Sequence, residues 1–161
     1  MSELAELAAA YGTPLYVYRT DRLDAAVARL RTALPQHSRL YYSVKANPHP
    51  GVVHHLTGLG LGAEVSSSGE WEVARPAPAL YTGPGKTDAE IRAALRTGVR
   101  LFSVESAGER ARLSRAADAV GIRAEYLIRV NGPDRAAATG LRMSGPRMSG
   151  PRMDGPRMDG A

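Results

Sequence analysis

Short apolar runs recur along this chain at 39–44, 63–66, 79–82, 100–104 and 124–130, and an amphipathic stretch separates each from the next. Most lack strict alternation, as strands buried on both faces should. The segment 21–34 places Leu23, Val27, Leu30 and Leu34 on one helical face. Three helix starts carry the spacing of a capping box: Ser67 with Glu70, Thr87 with Glu90, and Ser106 with Glu109. Parallel neighbours need a crossover helix, so this order predicts an α/β fold with a parallel sheet. A further run at 15–18 also reads as a strand. The unit between 66 and 79 is tight, because Pro76 and Pro78 confine its helix to 68–75. Eight helical residues span ~12 Å and a five-residue strand ~17 Å, which predicts local strain or a poorly formed unit there.

The length of 161 residues suits one domain with a real core. There is no cysteine, which excludes disulfides, thiolate metal sites and cysteine nucleophiles. The net charge of +5 raises the question of nucleic acid. Arginine supplies 19 of the 21 basic residues, scattered among Asp and Glu, and no aromatic residue alternates with a basic cluster. No nucleic-acid partner is expected. No apolar run approaches the ~20 residues of a membrane span, and the start of the chain carries Glu3 and Glu6 without a basic residue. The expected location is cytoplasmic, with no membrane partner. From Arg142 the chain becomes a repeat of Arg-Met-Ser/Asp-Gly-Pro. Its proline and glycine content excludes a regular helix or central strand, so 142–161 is expected to be a disordered tail behind a domain at 1–141.

Only two lysines occur, Lys45 and Lys86. Lys45 ends an apolar strand in Tyr41-Tyr42-Ser43-Val44-Lys45-Ala46-Asn47-Pro48. In an α/β barrel such strand ends point into the active site. Arginine cannot replace lysine in Schiff-base chemistry, because its guanidinium stays protonated. An apolar mouth would push the lysine pKa down by desolvation and free the amine for attack on an aldehyde. A strand-end lysine reaching for solvent fits the same position. Other patterns lead nowhere. Gly85-Lys86-Thr87 ends like a P-loop, but Leu80 stands where the earlier glycine should be. His49, His54 and His55 share no helical face, so they read as solvated residues and no metal site is expected.

The segment Tyr11-Gly12-Thr13-Pro14-Leu15-Tyr16-Val17-Tyr18 and the Lys45 motif together resemble the start of the fold-type III pyridoxal-phosphate-dependent decarboxylases. That family includes the diaminopimelate, ornithine and arginine decarboxylases. The resemblance continues through Gly62-Ala63-Glu64-Val65-Ser66-Ser67-Ser68-Gly69-Glu70, Tyr81-Thr82-Gly83-Pro84-Gly85-Lys86, Ser103-Val104-Glu105-Ser106 and Leu127-Ile128-Arg129-Val130-Asn131. It covers about residues 11 to 145, and Asn47-Pro48 is closer to the decarboxylase branch than to the alanine racemases.

The resemblance implies a (β/α)8 TIM-type barrel of the alanine racemase/decarboxylase type, of which about five of eight strands are present. It implies pyridoxal 5'-phosphate as cofactor, with Lys45 forming the internal aldimine. Arg129 matches the arginine that ends the fifth barrel strand beside the cofactor. Glu64 stands where the family commonly has Asp next to that arginine, and Glu70 matches the glutamate of the Gly-Glu motif, although its place in a capping box already explains it. The implied substrate is diaminopimelate or a basic amino acid. The run at 15–18 would belong with the family's C-terminal β-domain. A full barrel takes ~250 residues, so the expectation is a truncated enzyme, inactive or weakly active alone. A non-catalytic cofactor-binding protein and an interaction module built on half a barrel are the alternatives. Two open sheet edges, 39–44 and 124–130, predict self-association.

Overall fold

The structure is a computed structural model and describes residues 2–129. The expected boundary at 141 and the repeats at 142–161 lie outside the described residues.

Two helices come first, α1 (Glu3–Tyr11) and α2 (Thr20–Ala33). Strands and helices then alternate: β1 (Tyr41–Ser43), a 3-10 turn (Val44–Ala46), α3 (Pro50–Gly58), β2 (Gly62–Val65) and α4 (Ser68–Ala74). They continue as β3 (Ala79–Tyr81), α5 (Asp88–Arg96), β4 (Leu101–Val104), α6 (Ala107–Val120) and β5 (Glu125–Ile128). The five strands form one parallel sheet in the order β1-β2-β3-β4-β5. This is part of a TIM-type barrel, with helices on one face. Strand order follows chain order, as expected when each strand returns beside the last through one helix.

One face of each central strand packs under the helices. Ala63, Val65, Ala79, Tyr81, Phe102 and Val104 join Trp71, Ile91, Leu95 and Leu113 in the main core. Burying a large apolar side chain contributes about 1.5–3 kcal/mol, so this layer holds the unit together. The opposite face is only half-buried at Tyr41, Ser43, Glu64, Leu80 and Leu101. The expectation of strands buried on both faces therefore holds for one face. Among the described residues no second layer covers the other.

Three further expectations are corrected. Residues 15–18 form no strand and are exposed, Tyr16 at 85%. No described strand pairs with them. The apolar stripe on α2 packs only in part: Val27 is buried and Leu23 joins it against Val52 and Leu56 of α3, while Leu30 and Leu34 stay exposed. The unit between β2 and β3 is well formed, with Ala63 in register with Ala79 and Val65 with Tyr81. The strands have three or four residues, ~10–13 Å, which a seven-residue helix of ~10 Å can span. Strands this short leave no mismatch for the helix to bridge.

The two outer strands are β1 and β5. β5 is exposed along its whole length, with Tyr126 at 43%, Leu127 at 51% and Ile128 at 69%.

Candidate functional site

All five strands run the same way, so the residues that follow them collect along one edge of the sheet. Lys45 sits there, in the 3-10 turn directly after β1. Val44 is fully buried and anchors the turn. The Tyr42 hydroxyl donates to the Asn47 carbonyl at 3.1 Å, and the Asn47 side chain accepts from the His49 N–H at 3.0 Å. His49 then caps α3 by accepting from the Gly51 N–H at 3.1 Å, and Pro50 opens that helix with the φ it requires. Lys45 itself is exposed. Three polar side chains, Ser43, Glu64 and Thr82, lie on the ends of β1 and β2 and just after β3.

Those three form one hydrogen-bonded group. The hydroxyls of Ser43 and Thr82 donate to the two carboxylate oxygens of Glu64, which ties β1, β2 and the end of β3 together. Gly83 follows, and a Cβ there would collide with the Ser66 carbonyl oxygen, so the close approach of these two loops requires glycine. Glu70 sits at the start of α4, where its N–H donates to the Ser67 hydroxyl at 3.2 Å. Its carboxylate accepts from the Ser66 N–H at 2.7 Å.

A second group occupies the ends of β3, β4 and β5. Arg129 follows β5 directly, and its N–H continues the ladder to the Val104 carbonyl at 2.8 Å. Its guanidinium donates to Glu105 at 3.0 Å. The Glu105 N–H donates at 2.8 Å to the carboxylate of Glu109, whose other oxygen accepts from Lys86 at 2.7 Å. Lys86 also donates to the Ser103 carbonyl at 2.8 Å. Both charged side chains are buried, 2% exposed for Lys86 and 6% for Glu109. Burial pushes the Glu109 carboxyl up, but hydrogen bonds from Lys86 and the Glu105 N–H, with the charges of Lys86 and Arg112, outweigh it and hold the group below its ordinary value.

The four residues singled out in the sequence thus fall into different groups. Lys45 and Glu64 belong to the first three strands, Glu70 to the cap of α4, and Arg129 to the second group. The resemblance set Glu64 next to Arg129, but here Glu64 takes Ser43 and Thr82 as partners and Arg129 takes Glu105. Only Thr87 makes the full reciprocal capping box with Glu90. At Ser67 and Ser106 the glutamate reaches the N–H one residue earlier. These two N-caps are more extended, with φ of −146° and −152° against −78° at Thr87.

Sequence reasoning missed Ser43, Thr82, Glu105 and Glu109 as parts of the site, and discarded Lys86 with the P-loop pattern. The available signal was a rare lysine in an arginine-rich chain, placed in a glycine-bounded loop. His54 and His55 are also more than solvated residues. His54 meets the Val73 carbonyl at 2.9 Å, and His55 meets Asp24 at 2.7 Å, linking α3 to α2.

Residues 20–149 match the family described as pyridoxal-dependent decarboxylase, pyridoxal binding domain. The chain belongs to this family. It is 38% identical over 142 residues to a diaminopimelate decarboxylase of Vibrio cholerae, an overlap of 84% of this chain and 34% of the relative. It is 39% identical over 136 residues to one from Aquifex aeolicus, with 81% and 32% covered. Among solved structures, the diaminopimelate decarboxylase of Helicobacter pylori complexed with L-lysine superposes with a TM-score of 0.72 at 30% identity, covering 80% of this chain and 34% of that one. A lysine/ornithine decarboxylase of Vibrio vulnificus complexed with cadaverine gives 0.72 at 28% identity, with 82% and 36% covered. The chain therefore spans about a third of the length of the relatives it matches.

Proposed function

We propose that this chain supplies the lysine-bearing part of a pyridoxal-phosphate-dependent amino-acid decarboxylase, with Lys45 as the residue that holds the cofactor. The observation that carries the reading is the contrast between its two lysines. Lys45 is exposed at the edge where the strands end, whereas Lys86 is buried and bound to Glu109 and the Ser103 carbonyl. A lysine held as a buried cation cannot offer a nucleophilic amine without breaking that pair. The donor set on this edge fits the group: a primary amine for an aldehyde, a guanidinium at Arg129 for an anionic or ring-bearing partner, and carboxylates at Glu64 and Glu70.

When bound, pyridoxal phosphate supplies the electron sink that loss of carbon dioxide requires. The chain's own residues bind and orient. Lys45 provides the attachment point, on a turn fixed by Val44. Glu64, held by two hydroxyls, keeps a directed negative charge beside the ends of β1 and β3. Arg129, held by Glu105, presents a fixed positive charge at the end of β5. Relatives named diaminopimelate decarboxylases support diaminopimelate as the substrate.

Treatment with pyridoxal phosphate and borohydride, followed by peptide mapping, should place the label on Lys45. Label on Lys86, or equal label on both, would refute the assignment. Association through the edges of β1 and β5 belongs to the same reading, since the outer strands of an open sheet, half-buried at β1 and exposed at β5, offer unpaired backbone groups to another chain. Light scattering should show mass rising with concentration, and a concentration-independent monomer would exclude it.

A further inference from the structure

We infer that the buried Lys86–Glu109 pair is a positioning device that fixes Glu105 and, through it, the guanidinium of Arg129. Its functional meaning rests on Arg129 being part of the proposed cofactor site. The geometry behind it does not.

The pair grips the backbone on both sides of one residue. Lys86 donates to the carbonyl of Ser103, and Glu109 accepts from the N–H of Glu105. Between them, the Val104 carbonyl accepts from the N–H of Arg129. The segment 103–105 is thus held at three consecutive residues, two of them by one ion pair that is almost fully removed from water. Glu105 leaves this clamped segment with its side chain one-third exposed and its carboxylate on Arg129, 3.0 Å away. An isolated pair with side chains 33% and 30% exposed would be weakly ordered, because exposed ion pairs contribute little and each side chain loses rotamer freedom. Fixing the backbone of Glu105 leaves only its side-chain torsions to be ordered, so no backbone freedom is lost on top of that cost.

Glu109 carries the link, since among the described residues its side chain is the one bonded to both Lys86 and the Glu105 N–H. Burying a charge pair costs desolvation that a well-packed apolar pair would avoid. A purely structural role would therefore be met as well by apolar residues. An apolar replacement could not accept the Glu105 N–H, which gives the two roles different consequences.

The test uses the full chain without cofactor and reads the rate of phenylglyoxal modification at single arginines by mass spectrometry. Arg100, held by the carbonyls of Leu95 and Val99, reports the integrity of the fold. In K86M/E109L, modification of Arg129 should rise about tenfold, the change expected for loss of one hydrogen bond to a charged group, with Arg100 unchanged. K86M/E109Q keeps an acceptor for the Glu105 N–H but loses the Lys86 bond to the Ser103 carbonyl, and its Arg129 should react at a rate between those of wild type and K86M/E109L. The inference is overturned if Arg129 in K86M/E109L stays within about twofold of wild type. It is overturned equally if Arg100 rises in parallel, or if the Gln variant behaves like the Leu variant. Because no cofactor is present, failure of the Lys45 labelling leaves this result intact, and the converse also holds.

Discussion

Two turns in this molecule have nearly the same sequence and different fates. Ser67-Ser68-Gly69-Glu70 follows β2, and Ser106-Ala107-Gly108-Glu109 follows β4. In each, the serine accepts from the glutamate N–H, at 3.2 and 3.1 Å, and the glutamate accepts from the N–H before the serine, at 2.7 and 2.8 Å. Local sequence therefore dictates the cap. What differs is a residue far away in the chain. Lys86 reaches Glu109 from the loop after β3 and is buried with it, whereas Glu70 remains half-buried. The first glutamate remains a half-buried cap. The second becomes half of an internal ion pair.

Removing the two carboxylates should separate these fates sharply. Glu109→Ala leaves Lys86 as an uncompensated buried charge and should cost about 3–5 kcal/mol. Glu70→Ala loses a hydrogen bond to a half-buried N–H, and should cost about 1–2 kcal/mol. Urea unfolding followed by circular dichroism would measure both. Equal losses would mean that Lys86 finds another partner or water in the variant, and the distinction between the turns would collapse.

The same contrast explains what was legible in the sequence. Strands β1 to β5 and the helices between them are visible, because an apolar run or a helical stripe records burial within a single element. Lys45, Glu64, Glu70 and Arg129 are visible through ordered motifs, and the structure places them at or near the strand ends. The pairings were not. Ser43 meets Glu64 across 21 positions, and Lys86 meets Glu109 across 23. Such contacts depend on strand register and on which loop folds over which helix, and neither leaves a periodic trace. The stripe on α2 failed for a related reason, since Leu30 and Leu34 have the right spacing but no described surface to cover them.

A smaller effect should appear in acid. The folded Glu109 carboxyl lies below its ordinary value: burial raises it, but Lys86, the Glu105 N–H and the charges of Lys86 and Arg112 lower it further than burial lifts it. With a folded pKa below the unfolded one, the unfolded chain binds more protons in the interval between them, so stability rises with pH there. The contribution is complete above the unfolded carboxylate value of about 4.3 and disappears as pH falls through the lowered folded value. Glu90 is also held low, first by the Thr87 N–H and then by its hydroxyl, so wild type alone would not isolate the effect. K86M/E109Q keeps Glu90 and lacks the buried pair, and the difference between the two chains cancels the common part. Urea midpoints at pH 6, 4 and 3 should fall more steeply for wild type than for this variant. The drop should be smaller than for Glu109→Ala, because a proton neutralises the carboxylate but leaves its oxygens in place to accept from Glu105. Parallel curves would show that Lys86 does not depress the Glu109 carboxyl, and that the two turns differ in burial alone.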